Sequence, residues 1–290
     1  MKIATYRYQG RTCVGIVSAD VSSVTAITES SLGTDGVLGL VRAQASGEPL
    51  PKAEGVAVLL SEVELLAPIP RPARNVFCVG RNYHEHAKEL QASVFKASNA
   101  DTQAWPIVFT KVPECVAKPG AEVVLPNAVS TQIDYEAELA VIIGKGGKNI
   151  AKADAMKHIF GYTIVNDVTA RDVQMRHSQW DLGKSFDTFC PMGPWIVTAD
   201  EMDGTKTRVR CWVNGELRQD GPTENMIFDI PTLIETCSRG ITLYPGDIIA
   251  TGTPSGVGLG FKPPRFLKAG DVVKIEIDGI GTLENTFVDE

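Results

Sequence analysis

From Trp105 onward the chain is a run of short β-type segments, IVFT, AEVVLP, EAELAVIIG, YTIVND, PWIVT, RVRCWVNG, DIIATGT and DVVKIEIDG, punctuated by turn residues. Apolar and polar residues alternate through several of them, the period expected of a strand with one buried face. Only two stretches in this region read as helix. They are Lys152–His158 and Ile230–Ser238, the second with Asp229 placed as N-cap, Pro231 in its first turn and Gly240 near its end. Many strands with few crossover helices argue against a doubly wound parallel sheet and predict a mainly β (α+β) fold, a sandwich, barrel or roll.

Upstream, KIATYRY and TCVGIVSA read as two strands joined by the turn Gln9-Gly10-Arg11, and a short helix is expected near Val37–Ala45. Residues 66–73, LAPIPRPA, hold three prolines, which disfavour helix and regular ladder pairing and read as an extended linker. The expected organisation is therefore a small α+β domain over residues 1–67 and a larger β domain over residues 68–290. After the linker come an apolar strand, NVFCVG, and a polar piece whose HEHAKEL stretch can make one or two helical turns.

Charge and composition exclude several classes of function. Lys and Arg number 28 against 35 Asp and Glu, and the net charge of -7 disfavours nonspecific contact with nucleic acid or anionic membranes. No apolar run reaches the ~18 residues of a membrane span, and the polar opening MKIATYRYQGR lacks the features of a secretory or transit leader, so a cytoplasmic location is expected. The six cysteines are scattered and form no C-x-x-C, which predicts buried free thiols in place of a zinc site or disulfide framework.

Several polar clusters stand out as candidate chemistry. In IDYEAELAVIIG, a continuous strand would put Asp134, Glu136 and Glu138 on one face. Such a row is either a solvated acidic face or, if buried, a set of hard oxygen ligands suited to Mg²⁺, Mn²⁺ or Ca²⁺. VNDVTARDVQ follows an apolar strand with Asp167, Arg171, Asp172 and Gln174; Asp167 could complete a three-carboxylate site or cap the turn at Val168. In the polar piece, His86 and Glu89 sit at helical i,i+3 spacing, where the carboxylate can orient an imidazole base, with His84 as competing base and an exposed pair as the plain alternative. Lys184, among small and apolar residues, could neutralise an enolate or be an ordinary surface lysine. The glycine-rich stretch Thr251 to Gly258 lets backbone N–H groups approach an anion, but it lacks the P-loop lysine and does not make an NTPase.

Six ordered motifs, GRNYHEHAKE (80–89), DYEAELAVIIG (134–144), NDVTARDVQ (166–174), GKSFDTFCPMGPWIVT (183–198), VNGELRQ (213–219) and YPGDIIATGTPSGVG (244–258), resemble the fumarylacetoacetate hydrolase superfamily over roughly Pro68 to the C-terminus. The resemblance implies a mixed β-sandwich roll, a homodimer, and Mg²⁺ or Mn²⁺ held by Glu136, Glu138 and Asp167. It further implies a His86–Glu89 dyad on a lid, an active-site Lys184, and a pocket lined by Arg171, Gln174 and Thr253. The reaction it suggests is hydrolytic carbon–carbon cleavage of a 3-acylpyruvate or related β-diketo acid by water activated at His86. The alternative is tautomerisation or decarboxylation of oxaloacetate, or isomerisation of a 2-hydroxyhepta-2,4-diene-1,7-dioate type substrate, on the same site. The segment from Trp180 through FKPPRFLKAGD (261–271) resembles the oxaloacetate-handling subgroup. A noncatalytic binding protein on the same scaffold is disfavoured because all these residues are present.

Overall fold

A computed structural model describes residues 1–27, 35–50, 52–91 and 105–290. In chain order the strands are β1 (Lys2–Tyr8), β2 (Arg11–Val17), β3 (Ser23–Ala26), β4 (Ala57–Leu59), β5 (Glu64–Leu65), β6 (Val76–Gly80), β7 (Ile107–Lys111), β8 (Val116–Ala117), β9 (Glu122–Leu125) and β10 (Ile133–Asp134). They continue with β11 (Ala137–Ile143), β12 (Ile159–Asn166), β13 (Thr169–Ala170), β14 (Cys190–Thr198), β15 (Arg208–Val213), β16 (Glu216–Pro222), β17 (Ile248–Ala250), β18 (Val272–Ile277) and β19 (Gly281–Asp289). The α-helices are α1 (Val37–Ala45), α2 (His84–Gln91), α3 (Arg171–Gln174), α4 (Asp181–Lys184) and α5 (Ile230–Ser238).

The architecture is mainly β, as the strand pattern predicts. A large sheet runs in the order β4-β3-β2-β1-β14-β12-β11-β17-β6-β7, and a five-stranded sheet runs β16-β15-β18-β19-β9. Most ladders are antiparallel, while β17–β6, β14–β8 and β19–β9 are parallel, so the strand directions are mixed. The two sheets meet where β14 touches β19, β11 touches β15 and β12 touches β18. Every residue of β11 and β14 is buried, which is why AELAVII reads as a continuous apolar run interrupted by a single acid. By contrast, β15 and β18 bury every second residue, as expected of strands with one face on the core.

Local signals account for the connections. Gln9-Gly10 and Asn214-Gly215 all have positive φ, the backbone that a two-residue hairpin turn requires. The Asp229 side chain accepts from the Thr232 N–H at 2.9 Å and caps α5 as predicted. Lys152–His158 is helical but of the tighter 3₁₀ form. The first strands of the chain pair directly with the later ones, Lys2 with Val197 and Ile3 with Ile196, so the large sheet is continuous from β4 to β7. All six cysteines are free and all but Cys13 are buried. Among the described residues no helix is long and apolar enough to cross a membrane.

Candidate active site

The antiparallel hairpin β11–β12 builds the acidic centre. Ala137 pairs with Asn166, which brings Glu136, just before β11, beside Asp167, just after β12. The Asp167 N–H donates to the Glu136 carbonyl at 2.9 Å and fixes that juxtaposition. Glu138 points from β11 to the same place, so one carboxylate oxygen from each of Glu136, Glu138 and Asp167 lies within 4.8 Å of the others, all three residues buried.

Asp134 departs from the expected row. The strand breaks at Tyr135 and Glu136, so Asp134 belongs to the separate short strand β10, paired with β13. Two-residue alternation holds only along an uninterrupted strand. The Asp134 carboxylate instead accepts from Arg171 Nε at 2.8 Å, Gly258 N at 2.7 Å and Leu259 N at 3.0 Å.

Three cations meet the acidic centre. Lys184 Nζ bridges Glu136 and Asp167 at 2.7 Å each and lies 4.8 Å from the centre of the Phe109 ring. Its placement depends on Gly183, where a Cβ would stand 2.5 Å from the Gln174 N, so only glycine lets α4 come this close to α3. Lys111, which sequence reasoning missed, is wholly buried and donates to Asp167 at 2.7 Å, to the Val168 carbonyl at 3.1 Å and to the Lys184 carbonyl. Arg171 pairs with Asp134 and Glu136 and donates to Gln174 Oε1 at 3.2 Å. Asp167 is therefore held by side chains and does not serve as the cap considered for the Val168 turn.

Burial pushes the Glu136 carboxyl upward, but Lys184, Arg171 and His86 outweigh burial and hold it well below the ordinary carboxylate range. Glu138 goes the other way. Burial, with Asp167 and Glu136 adding negative charge, raises it well above that range, and Lys184 with the Gly252 N–H at 2.9 Å offsets only part of this. Burial alone would lower Lys111, yet Asp167 reverses the balance and keeps it an ammonium. Three carboxylates whose oxygens converge, with Glu138 lacking a direct cationic partner among the described residues, make an oxygen-only donor set that fits a hard divalent cation held by Glu136, Glu138 and Asp167.

A small pocket opens on this centre, lined among others by His86, Glu136, Glu138, Arg171, Gln174, Lys184 and Thr253. His86 is buried, and its Nδ1 lies 3.2 Å from Glu89 Oε2, with Glu89 behind it and outside the lining. His84 is exposed on the outer face of α2, away from this cavity. The Thr253 hydroxyl donates to the Ala137 carbonyl at 2.9 Å and accepts from Gln219 at 2.7 Å. Trp180 closes one wall against Phe109, ring centres 5.3 Å apart, over Gly80, where a Cβ would meet the indole at 2.5 Å. Asp172 accepts from Ser130 and does not line the cavity. Of the residues sequence reasoning did not find, Gly80 and Arg81 lie within the GRNY motif itself, whereas nothing local in IVFTK marks Lys111 as buried.

Residues 75–288 match the family described as fumarylacetoacetate (FAA) hydrolase C-terminal. The chain belongs to that family. Over 227 residues, 78% of this chain and 73% of the relative, it is 56% identical to a protein of Bacillus subtilis (strain 168) named oxaloacetate tautomerase YisK. Over 231 residues, 79% of this chain and 70% of the relative, it is 49% identical to the Homo sapiens protein named oxaloacetate tautomerase FAHD2A, mitochondrial. Among solved structures, a fumarylacetoacetate hydrolase of Exiguobacterium antarcticum superposes over 100% of both chains with a TM-score of 0.87 at 41% identity. The relatives named above are enzymes by name, and five of the six motifs contribute residues to the pocket lining, with Phe109 and Trp180 completing its wall.

Proposed function

We propose that the protein is an oxaloacetate tautomerase, interconverting the keto and enol forms by proton transfer at C3. The observation that carries this reading is the pocket that sets the buried His86, backed by the half-buried Glu89, facing the acidic centre. The similarity to relatives named oxaloacetate tautomerases favours it over hydrolysis of a 3-acylpyruvate.

In this reading Glu136, Glu138 and Asp167 hold Mg²⁺ or Mn²⁺, which when bound supplies Lewis-acid stabilisation of negative charge at the α-keto oxygen. Arg171, Gln174 and Thr253 orient the substrate's carboxylates within the cavity. Glu89 engages His86 Nδ1 and leaves Nε2 to take the proton from C3. The electron pair of the broken C–H bond becomes the C2–C3 double bond, and the carbonyl oxygen takes the negative charge beside the Lys184 ammonium. Protonation of that oxygen gives the enol, with no net change in atoms. Residues 1–67 pack against this catalytic unit and the chain assembles as a homodimer, an assembly sedimentation analysis can test.

The experiment is ultraviolet detection of the enol absorbance after freshly dissolved oxaloacetate is added to the protein, with Mg²⁺ or Mn²⁺ and with chelator. Accelerated, chelator-sensitive equilibration is expected; equilibration at the buffer rate would refute the reading. The dyad is equally suited to activating water, so proton NMR with acetylpyruvate tests the hydrolytic alternative. Metal-dependent appearance of acetate and pyruvate would favour that alternative.

A further inference from the structure

Asp134 and the glycines of the Thr251–Gly258 stretch stand out in the sequence, and the reaction above uses only Thr253 of that stretch. In the structure they grip one another. The Tyr135 hydroxyl donates to the Gly256 carbonyl at 2.8 Å, and the Asp134 carboxylate accepts from the consecutive N–H groups of Gly258 and Leu259. The contact admits no side chain at residue 258, where a Cβ would lie 2.7 Å from Asp134 Oδ1 and 2.3 Å from the Arg265 carbonyl. The backbone groups expected to cradle a foreign anion thus cradle the protein's own carboxylate.

The same loop receives α2. The Gly256 N–H donates to both Glu89 oxygens at 3.1 and 3.2 Å, and a Cβ at Gly260 would stand 2.0 Å from Glu89 Oε1. The loop is therefore held from one side by Asp134 and from the other by the helix carrying His86. Asp134 Oδ2, which accepts from the Leu259 N–H, also accepts from Arg171 Nε at 2.8 Å, and Arg171 reaches Glu136 through Nη2 at 2.8 Å.

We infer that Asp134 is a positioning residue: it fixes Arg171 against the acidic centre and pins the loop on which the His86–Glu89 helix is seated, so that both are set together. The assignment rests on the proposed roles of Arg171 and His86, but the physical link is independent of which reaction they serve. Partners that orient functional residues in this way typically matter by about 10- to 100-fold in affinity or activity.

Amide hydrogen exchange on the full-length protein, without substrate, tests the link. In Asp134→Asn the Gly258 and Leu259 amides lose a charged acceptor, and their exchange should rise about 10- to 100-fold. Exchange across residues 84–89 should rise with it. A rise confined to 258–259 would make Asp134 a local loop anchor and overturn the inference, as would no change at all. Coupling is reciprocal, so Glu89→Gln, which leaves Asp134 intact, should loosen 258–259; unchanged protection there also overturns it, even if the Asp134 variant does not fold. In kcat/KM for whichever substrate the protein turns over, the two substitutions together should cost less than the product of their separate effects, and a full product would show independent roles. Failure of the oxaloacetate assay leaves the exchange result interpretable, so the two proposals stand or fall separately.

Discussion

Lys111→Met is the most informative single perturbation, because it removes a charge the sequence gives no reason to value. The Lys111–Asp167 contact of 2.7 Å carries about 6 kcal/mol of gross attraction at an effective dielectric constant of ~20. Desolvation of two fully buried ions cancels much of that. What counts is the orphaned charge: deleting one partner of a buried pair costs about 3–5 kcal/mol. Lys184 still donates to the other Asp167 oxygen at 2.7 Å, which places the expected loss near the lower end, about 3 kcal/mol. Equilibrium urea unfolding of the chelator-treated protein should report this loss, and a separate thermal melt should show Tm lowered by several degrees. Adding Asp167→Asn to Lys111→Met removes the orphaned charge and should restore part of the stability. An unfolding free energy for Lys111→Met within about 0.5 kcal/mol of wild type, or a double variant less stable than the single by the full cost of a second lesion, would refute the argument that Lys111 neutralises Asp167.

Other outcomes follow from the same geometry. His86→Ala should lower kcat for tautomerisation by ~10²- to 10⁴-fold while leaving Mn²⁺ binding, read by electron paramagnetic resonance, unchanged. Because burial and its acidic neighbours raise the Glu138 carboxyl, that group keeps a proton where an ordinary glutamate is ionised, and a cation must displace it. Affinity for Mg²⁺ or Mn²⁺ should therefore fall as pH drops, and calorimetry in buffers of different ionisation enthalpy should show proton release on binding; buffer-independent heats would contradict this. Asp229→Ala removes the cap of α5 and should cost about 1 kcal/mol in unfolding free energy, without altering turnover.

The sequence is most readable where burial is one-sided or turn chemistry is local. The strands β15 and β18 alternate cleanly, Gln9-Gly10 marks the β1–β2 hairpin, and Asp229 marks the start of α5. Glu136 and Glu138 are legible because two acids in an otherwise apolar run need a reason. Asp134 is misleading for a specific cause: alternation assumes a continuous strand, and the break at Tyr135 is invisible without knowing that residues 133–134 pair with 169–170. Lys111 is opaque because a lysine ending a strand normally reaches solvent, and only the nonlocal approach of Asp167 keeps it inside. The pairing of β1 with β14 is equally nonlocal, joining residues nearly two hundred apart in sequence, so periodicity carries no trace of it.

The charge arrangement gives the site its logic. Asp134, Glu136, Glu138 and Asp167 are buried together with Lys111, Lys184 and Arg171, one cation fewer than carboxylates in this cluster. Arg171 serves Asp134 and Glu136, Lys184 serves Glu136 and Asp167, and Lys111 serves Asp167. Glu138 alone has no direct cationic partner among the described residues; its contact is the Gly252 N–H. With a proton on Glu138 the three remaining carboxylates balance the three cations, so no charge in the cluster is left uncompensated, although each buried ion still carries its desolvation cost. In the proposed function, a divalent cation in place of that proton would carry the cluster from neutral to net positive, which would favour a dicarboxylate substrate in the pocket. In that reading Glu138, the one carboxylate of the cluster whose direct contact is a backbone N–H, is where cation binding and the charge offered to an anionic substrate would be linked.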